Sequence, residues 1–333
     1  MSVTCRHLND FYAKFISGNY MPLYNRIIAN LCNGIFTTRY EMSVGDEYSD
    51  QLNNVLISVL LDCPELFYAG QEVQTEYRDG YVIVNFPNNY PDSDFNELND
   101  ELTAVVKKIA GDASQIDDEF ERIMFVNNYL STTIEPQFEL NDINGNAYGA
   151  LVKKVARCEG YVKAAKLIFD ELGIESIICT GEVEHDGSMI AHAWIAVKYQ
   201  DKFYAFDIAW DGGMAVNDIP GVVYTFMNKE YISVEHKTNY NYPITDDDQY
   251  LFWKLHNGDA EYLSDLQNAD LIAAGSGYYS VHHLIDIELS EYEEDNELME
   301  WIRDELSPLS IASRFTYAYR PDIHVFMVFY YNE

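Results

Sequence analysis

The sequence predicts an α+β fold, with one helix packed on an antiparallel sheet at its centre. Three observations carry that prediction. An apolar stripe with helical spacing begins at Cys158. Two aromatic-rich, strand-like segments meet at Gln200-Asp201. A second hairpin pattern surrounds Asp79-Gly80, a dipeptide suited to a two-residue turn.

In chain order, Leu52, Val55, Leu56, Val59 and Leu60 form one apolar helix face that stops before Pro64. Segments 72–77 and 81–86 alternate as strands on either side of Asp79-Gly80. Residues 87–95, with Pro87 and Pro91 among Asn and Asp, read as a loop. Helices are expected over 98–110 and 116–130, with Ser114 capping the second and Asp117 three residues on. Val162, Leu167, Ile168, Phe169 and Leu172 predict a helix over 158–172, and Gly173 stands where a left-handed residue commonly ends one. Ile177-Ile178-Cys179-Thr180 reads as a buried strand, which assigns Cys179 to the core. Strands follow over 190–199 and 202–210. Beyond residue 246 the pattern predicts a strand over 279–289, a helix over 296–306, and a hairpin of 315–319 with 324–331. The expected division is 1–90 (helices and a hairpin), 91–245 (a central core) and 246–333 (a small α/β appendage).

This layout brings three chemically distinct side chains toward one place. Cys158 falls in the first turn of its helix, beside backbone N–H groups that have no intrahelical partner. Those groups favour negative charge, and a thiol attacks only as thiolate. The Cys158 N–H is also a candidate oxyanion donor. Gly160 permits close approach of a substrate or of a neighbouring backbone. A two-residue turn at 200–201 pairs Tyr199 with Lys202, which sets His192 opposite Ala209 and Trp194 opposite Asp207. His192 and Asp207 are then diagonal neighbours on one face, roughly 7–8 Å apart at the backbone. A one-residue change in the loop would separate them to opposite faces. The same alternation puts Trp194 on the site face and Trp210 on the other.

Each residue alone has a blander reading. A lone cysteine is usually a small buried hydrophobe, and a lone histidine on a strand is usually a satisfied core or surface residue. Asp207 is harder to dismiss, because a carboxylate between Phe206 and Ile208 needs a partner when buried. A nucleophile, a base and a group that orients the base are together a recognisable constellation.

The stretches Arg157-Cys158-Glu159-Gly160-Tyr161, Ala191-His192-Ala193-Trp194 and Phe206-Asp207-Ile208-Ala209-Trp210 resemble the transglutaminase-like superfamily, a papain-related group of cysteine acyl-transfer enzymes. The resemblance runs over about residues 20–245 and includes segments 63–68, 118–130, 146–151 and 224–227, and His236. It departs at Arg157, at Ile195, and at Ile208-Ala209 with Gly212-Gly213. Arg157 could favour the thiolate or meet an acidic substrate group. The resemblance implies that Cys158 forms a thioester, His192 moves the proton and Asp207 orients the ring. Tyr148 is the candidate side-chain helper for the oxyanion, and Trp194 the candidate cleft wall. It implies no metal and no organic cofactor. It allows transglutaminase, peptidase, deamidase or N-glycanase activity. Hydrolysis of a peptide or amide, as in bacterial members, is expected over cross-linking, because one tryptophan wall excludes water poorly. The rival reading is a catalytically silent protein-binding module.

Composition narrows the partners. The formal net charge is −34 over 333 residues. Nucleic acid and anionic membrane surfaces are therefore disfavoured; the charge is first of all a solvated surface, and its functional reading is a field that attracts a cationic peptide substrate. The 5 cysteines are scattered, with no paired metal spacing and no disulfide framework. No apolar run is long enough to span a bilayer. The amino terminus lacks an apolar leader region, so a cytoplasmic setting is the expectation.

Overall fold

A computed structural model describes residues 10–137, 139, 141, 143–185, 188–211, 236–238 and 240–244, and the backbone of strands at 272–274, 278–284, 314–320 and 325–331. A short 3-10 turn, Tyr12–Phe15, precedes α1 (Met21–Leu31), β1 (Thr37–Glu41), α2 (Tyr48–Asp62), β2 (Gln74–Arg78) and β3 (Tyr81–Asn85). Next come α3 (Phe95–Ala113), α4 (Glu119–Thr133), β4 (Glu135–Pro136), a π turn (Gly149–Lys153), β5 (Val155–Ala156) and α5 (Cys158–Leu172). The central sheet follows as β6 (Ser176–His185), β7 (Ser188–Tyr199), β8 (Lys202–Phe206) and β9 (His236–Thr238). The last strands are β10 (Ile272–Ala274), β11 (Tyr278–Leu284), β12 (Arg314–Arg320) and β13 (Val325–Tyr331).

The central sheet has the order β8-β7-β6-β9 and is antiparallel throughout. Helix α5 packs on β6 and β7 and also meets α3 and α4. Its inward face, Tyr161, Val162, Ala164, Ala165, Ile168 and Phe169, is fully buried. Gly173 ends it at φ 76°, the left-handed conformation expected there. Cys179 is buried in β6, and burial pushes its thiol up well above the ordinary range. This mixed arrangement is the α+β fold that the periodicities predict, with the cysteine-bearing helix on an antiparallel sheet as the resemblance implies.

Both hairpin turns are built as their residues require. Gln200 and Asp201 take φ 47° and 66°, and Asp79 and Gly80 take 54° and 80°. Two successive positive φ angles match the right-handed twist of the flanking strands. Tyr199 pairs with Lys202, and the register runs to Ile195 opposite Phe206. β8 stops there, short of the expected 210.

Other expectations need correction. Ser114 ends α3 rather than starting α4, and its hydroxyl donates back to the Ala110 carbonyl. Asp118 caps α4 instead, accepting from the Glu121 N–H at 3.0 Å. Strand β1, absent from the periodicity reading, pairs with β3 to make the small sheet β1-β3-β2. Its residues Thr-Thr-Arg-Tyr-Glu carry no alternating apolar pattern, because only Thr38 is buried. The carboxy-terminal sheet has the order β10-β11-β13-β12. The expected helix over 296–306 and the aromatic segment 224–227 lie outside the described residues.

Candidate active site

Cys158 is the first residue of α5, at the helix end where backbone N–H groups are left without intrahelical partners. Its side chain is half-buried and close enough to the imidazole of His192 to raise that ring's pKa. His192 sits on β7 and is almost wholly buried. Its Nε2 donates to Asp207 Oδ2 at 2.6 Å. With Nε2 committed to the carboxylate, Nδ1 is the nitrogen left for the thiol. Asp207 has no exposed surface. The structure thus brings Cys158, His192 and Asp207 together, with a hydrogen bond joining the last two.

The electrostatics of the ring follow from that arrangement. Burial alone pulls an imidazole toward its neutral form. The charge and hydrogen bond of Asp207, with Cys158 on the other side, outweigh burial and push His192 up from 6.5 to about 10. The ring therefore carries its proton at neutral pH, between two acidic partners.

Asp207 reaches His192 by a route that simple strand alternation does not contain. It lies one residue beyond β8, and residues 208–211 turn helical. Its Oδ1 accepts from the Trp210 N–H at 3.2 Å, and its carbonyl accepts from the Asp211 N–H at 2.9 Å. Asp207 is in effect an N-cap, and Asp is among the residues favoured in that role. The signal was therefore present in the sequence, masked by aromatic and branched neighbours that also suit a strand.

This turn overturns the expected place of Trp210. Its ring lies 5.0 Å from that of His192, not on the opposite face. Trp194 stacks against the same imidazole at 6.4 Å and 20°. Both indoles are buried and flank the ring from within the core. Toward solvent, Ser188 to Ala191 at the start of β7 are all exposed.

The role expected for Tyr148 is also redirected. Its hydroxyl donates to Glu101 Oε2 at 2.5 Å, and its ring stacks on Phe67 at 5.1 Å. A phenol has one proton, so this one is spent on α3 rather than on an oxyanion. Burial, and then Glu101, push the Tyr148 ionisation further up.

Arg157 likewise has local partners. Its guanidinium pairs with Glu159 at 2.9 Å and donates to Gln71 Oε1 at 3.3 Å. Lys163 and Gln71 reach the other oxygen of Glu159. Burial opposes ionisation of Glu159, but Lys163 and Arg157 hold its carboxyl below the usual range. The guanidinium also packs against Gly145, so a Cβ there would require Arg157 to shift. Gln71 was not foreseen as part of this cluster, because it comes from 86 residues upstream. Gly160 is needed for close approach, since a Cβ there would sit 2.4 Å from the Asn144 carbonyl oxygen.

Comparison with known proteins bears on the chain at this point. Residues 105–208 match the family model described as the transglutaminase-like superfamily. That span contains Cys158, His192 and Asp207. No curated protein matches the chain. Among solved structures, a candidate cysteine protease from Cytophaga hutchinsonii is similar at 11% identity and TM-score 0.30, over 41% of this chain and 61% of that one. A structure named as a TGase is similar at 14% identity and TM-score 0.30, over 71% of this chain and 67% of that one. The periplasmic domain of TgpA from Pseudomonas aeruginosa is similar at 11% identity and TM-score 0.24, over 39% and 53%. The chain thus spans less than two thirds of the length of the Cytophaga protein. The family match falls on the helix and strands that carry the cysteine, the histidine and the aspartate, and residues 105–208 are similar to the transglutaminase-like superfamily.

Proposed function

We propose that this protein is a cysteine-dependent acyl-transfer enzyme that hydrolyses a peptide or carboxamide bond through a thioester. The observation that carries the reading is the imidazole of His192 hydrogen-bonded to Asp207 with Cys158 beside it. The Cys158 sulfur attacks the carbonyl carbon, and the negative charge moves to the carbonyl oxygen near the Cys158 N–H. Collapse breaks the C–N bond, and His192 gives its proton to the leaving amine. The neutral ring then takes a proton from water, and the resulting hydroxide attacks the thioester. The carboxylate product leaves, and the thiolate and charged ring are restored. Asp207 keeps the ring oriented and balances its charge throughout.

Water is the favoured acceptor for a reason different from a missing tryptophan. Both Trp194 and Trp210 are buried and packed against the ring, whereas residues 188–191 just before His192 in the same strand are exposed. Indoles in that position shield the imidazole from the core side and do not wall an amine tunnel. The net charge of −34 favours substrates bearing lysine or arginine.

The test is incubation with a glutamine peptide library and a fluorescent primary amine. Ammonia or new amino termini should appear without amine incorporation. Dominant incorporation at modest amine concentration would replace hydrolase with cross-linking enzyme. A reactive Cys158 that never forms a thioester would favour a protein-binding module.

A further inference from the structure

The inward face of α4 carries two polar residues where apolar ones would pack more simply. Phe120, Ile123, Met124, Val126 and Leu130 are buried, and so are Asn127 and Ser131. The two polar residues are one helical turn apart and share a face. Buried polar side chains are unfavourable unless something receives them. Here both are received by the short turn that follows β8. Asn127 Nδ2 donates to Asp211 Oδ2 at 3.3 Å, and Ser131 Oγ donates to the Ile208 carbonyl at 3.1 Å.

The behaviour of neighbouring hydroxyls makes this specific. Thr132 and Thr133 donate to the carbonyls four residues back, of Asn128 and Tyr129, both at 2.7 Å. Ser58 and Ser114 do the same in their own helices. That local bond is the ordinary fate of a hydroxyl on a helix. Ser131 instead reaches across 77 residues of sequence. Asn127 crosses 84. Asp211 is itself a fully buried carboxylate, four residues beyond Asp207. The turn between them also carries Trp210, whose indole lies on His192.

We infer that Asn127 and Ser131 are positioning residues that clamp the 208–211 turn, and so aim the Asp207 carboxylate and the Trp210 indole at His192. They touch neither substrate nor reacting atoms. They act by fixing both ends of a turn too short to be rigid alone. The inference rests on the reading of Cys158, His192 and Asp207 as the reactive set.

The test uses the full chain with Ser131→Ala, Asn127→Ala and, as control, Thr132→Ala. Two readouts apply: the ring titration of His192 followed by NMR, and the rate of iodoacetamide labelling at Cys158 at pH 6. Ser131→Ala and Asn127→Ala should each move the His192 titration down toward 6.5. Each should slow labelling, by up to about a hundredfold if the turn shifts by an ångström. Thr132→Ala should change neither. If Asn127→Ala does not fold, Ser131→Ala, which deletes one hydroxyl, decides. Folded Ser131→Ala with the wild-type titration and labelling rate would overturn the inference. So would an equal effect from Thr132→Ala. The titration needs no turnover, so an inactive wild-type chain would count against the proposed function and not against this clamp.

Discussion

At the scale of single residues, His192 decides what the site can do. A buried imidazole normally loses its proton, yet Asp207 and Cys158 hold this one charged to about pH 10. Cys158 should therefore react with iodoacetamide at pH 6 well ahead of Cys32, Cys63 and Cys179, which are buried. Mass spectrometry of the modified peptides reads this, and equal labelling of Cys158 and its neighbours would count against activation. Asp207→Asn should keep the fold, since an amide oxygen still accepts from Nε2. Removing the charge should lower the ring titration by about 1–3 units, visible by NMR, and narrow the alkaline limb of the labelling profile. Asp207→Leu should abolish turnover, because nothing then orients the ring. The His192 pKa is raised on folding, so its contribution to stability is full below 6.5 and fades as pH rises through about 10.

At the scale of elements, the β7–β8 hairpin sets the geometry through its turn. Gln200 and Asp201 both hold positive φ, a conformation that disfavours most side chains. Replacing them by Asn and Gly should raise stability by about 1 kcal/mol without changing register, measured by urea denaturation. One residue inserted between them should instead leave a folded protein with a less reactive Cys158, because β6 holds β7 in place while the slip displaces β8 and the Asp207 that follows it. Unchanged labelling after such an insertion would show that the turn does not set the register. α4 depends on its own cap. Asp118→Ala should cost about 0.5–2 kcal/mol, read in the same denaturation experiment.

At the scale of the whole molecule, charge and one buried acid should make stability depend on pH. Asp62 is buried at the end of α2 and accepts from the Tyr12 and Ala13 N–H groups at 3.1 and 2.9 Å. Burial pushes its carboxyl up from 3.8 to about 7, against those two hydrogen bonds. A raised pKa gives stability that is full below 3.8 and lost as pH rises through about 7. His192 adds a loss above 6.5, and the acidic surface adds repulsion. The melting temperature should therefore fall from pH 5.5 to 9, and fall less in 0.5 M salt. Asp62→Asn should flatten the slope near neutrality, and an unchanged slope would remove Asp62 as its source. Asp62 also matters for assembly, because Tyr12 donates to the Ile178 carbonyl at 2.6 Å and contacts Tyr242 at 2.9 Å. The amino-terminal turn is thus tied to the central sheet, a link that residues 166 and 230 positions apart do not announce.

The sequence by itself determined what local chemistry can specify. Helix α5 runs over Cys158–Leu172 as its stripe and Gly173 require, and the 200–201 turn sets the pairing of β7 with β8. Both follow from short-range rules: side-chain period, positive φ and the end of a helix. The pairing of His192 with Asp207 was legible only in part: the hairpin brings the two segments together, but its register ends at Ile195 opposite Phe206, and Asp207 reaches the ring from the turn beyond β8. Tertiary structure decided the rest. Asp207 caps a turn instead of continuing a strand because Asn127 and Ser131 of α4 receive that turn, and no local rule contains α4. Trp210 consequently swings onto the imidazole, and alternation counted along the strand assigns it the wrong face. Tyr148 is drawn to Glu101 and Arg157 to Glu159 and Gln71, because a buried polar group takes the partner that packing supplies. Sequence order records which side chains exist and how neighbours alternate. Which distant groups share a dry interior is settled only when the helices close over the sheet, and there each unpaired donor or charge must find a partner.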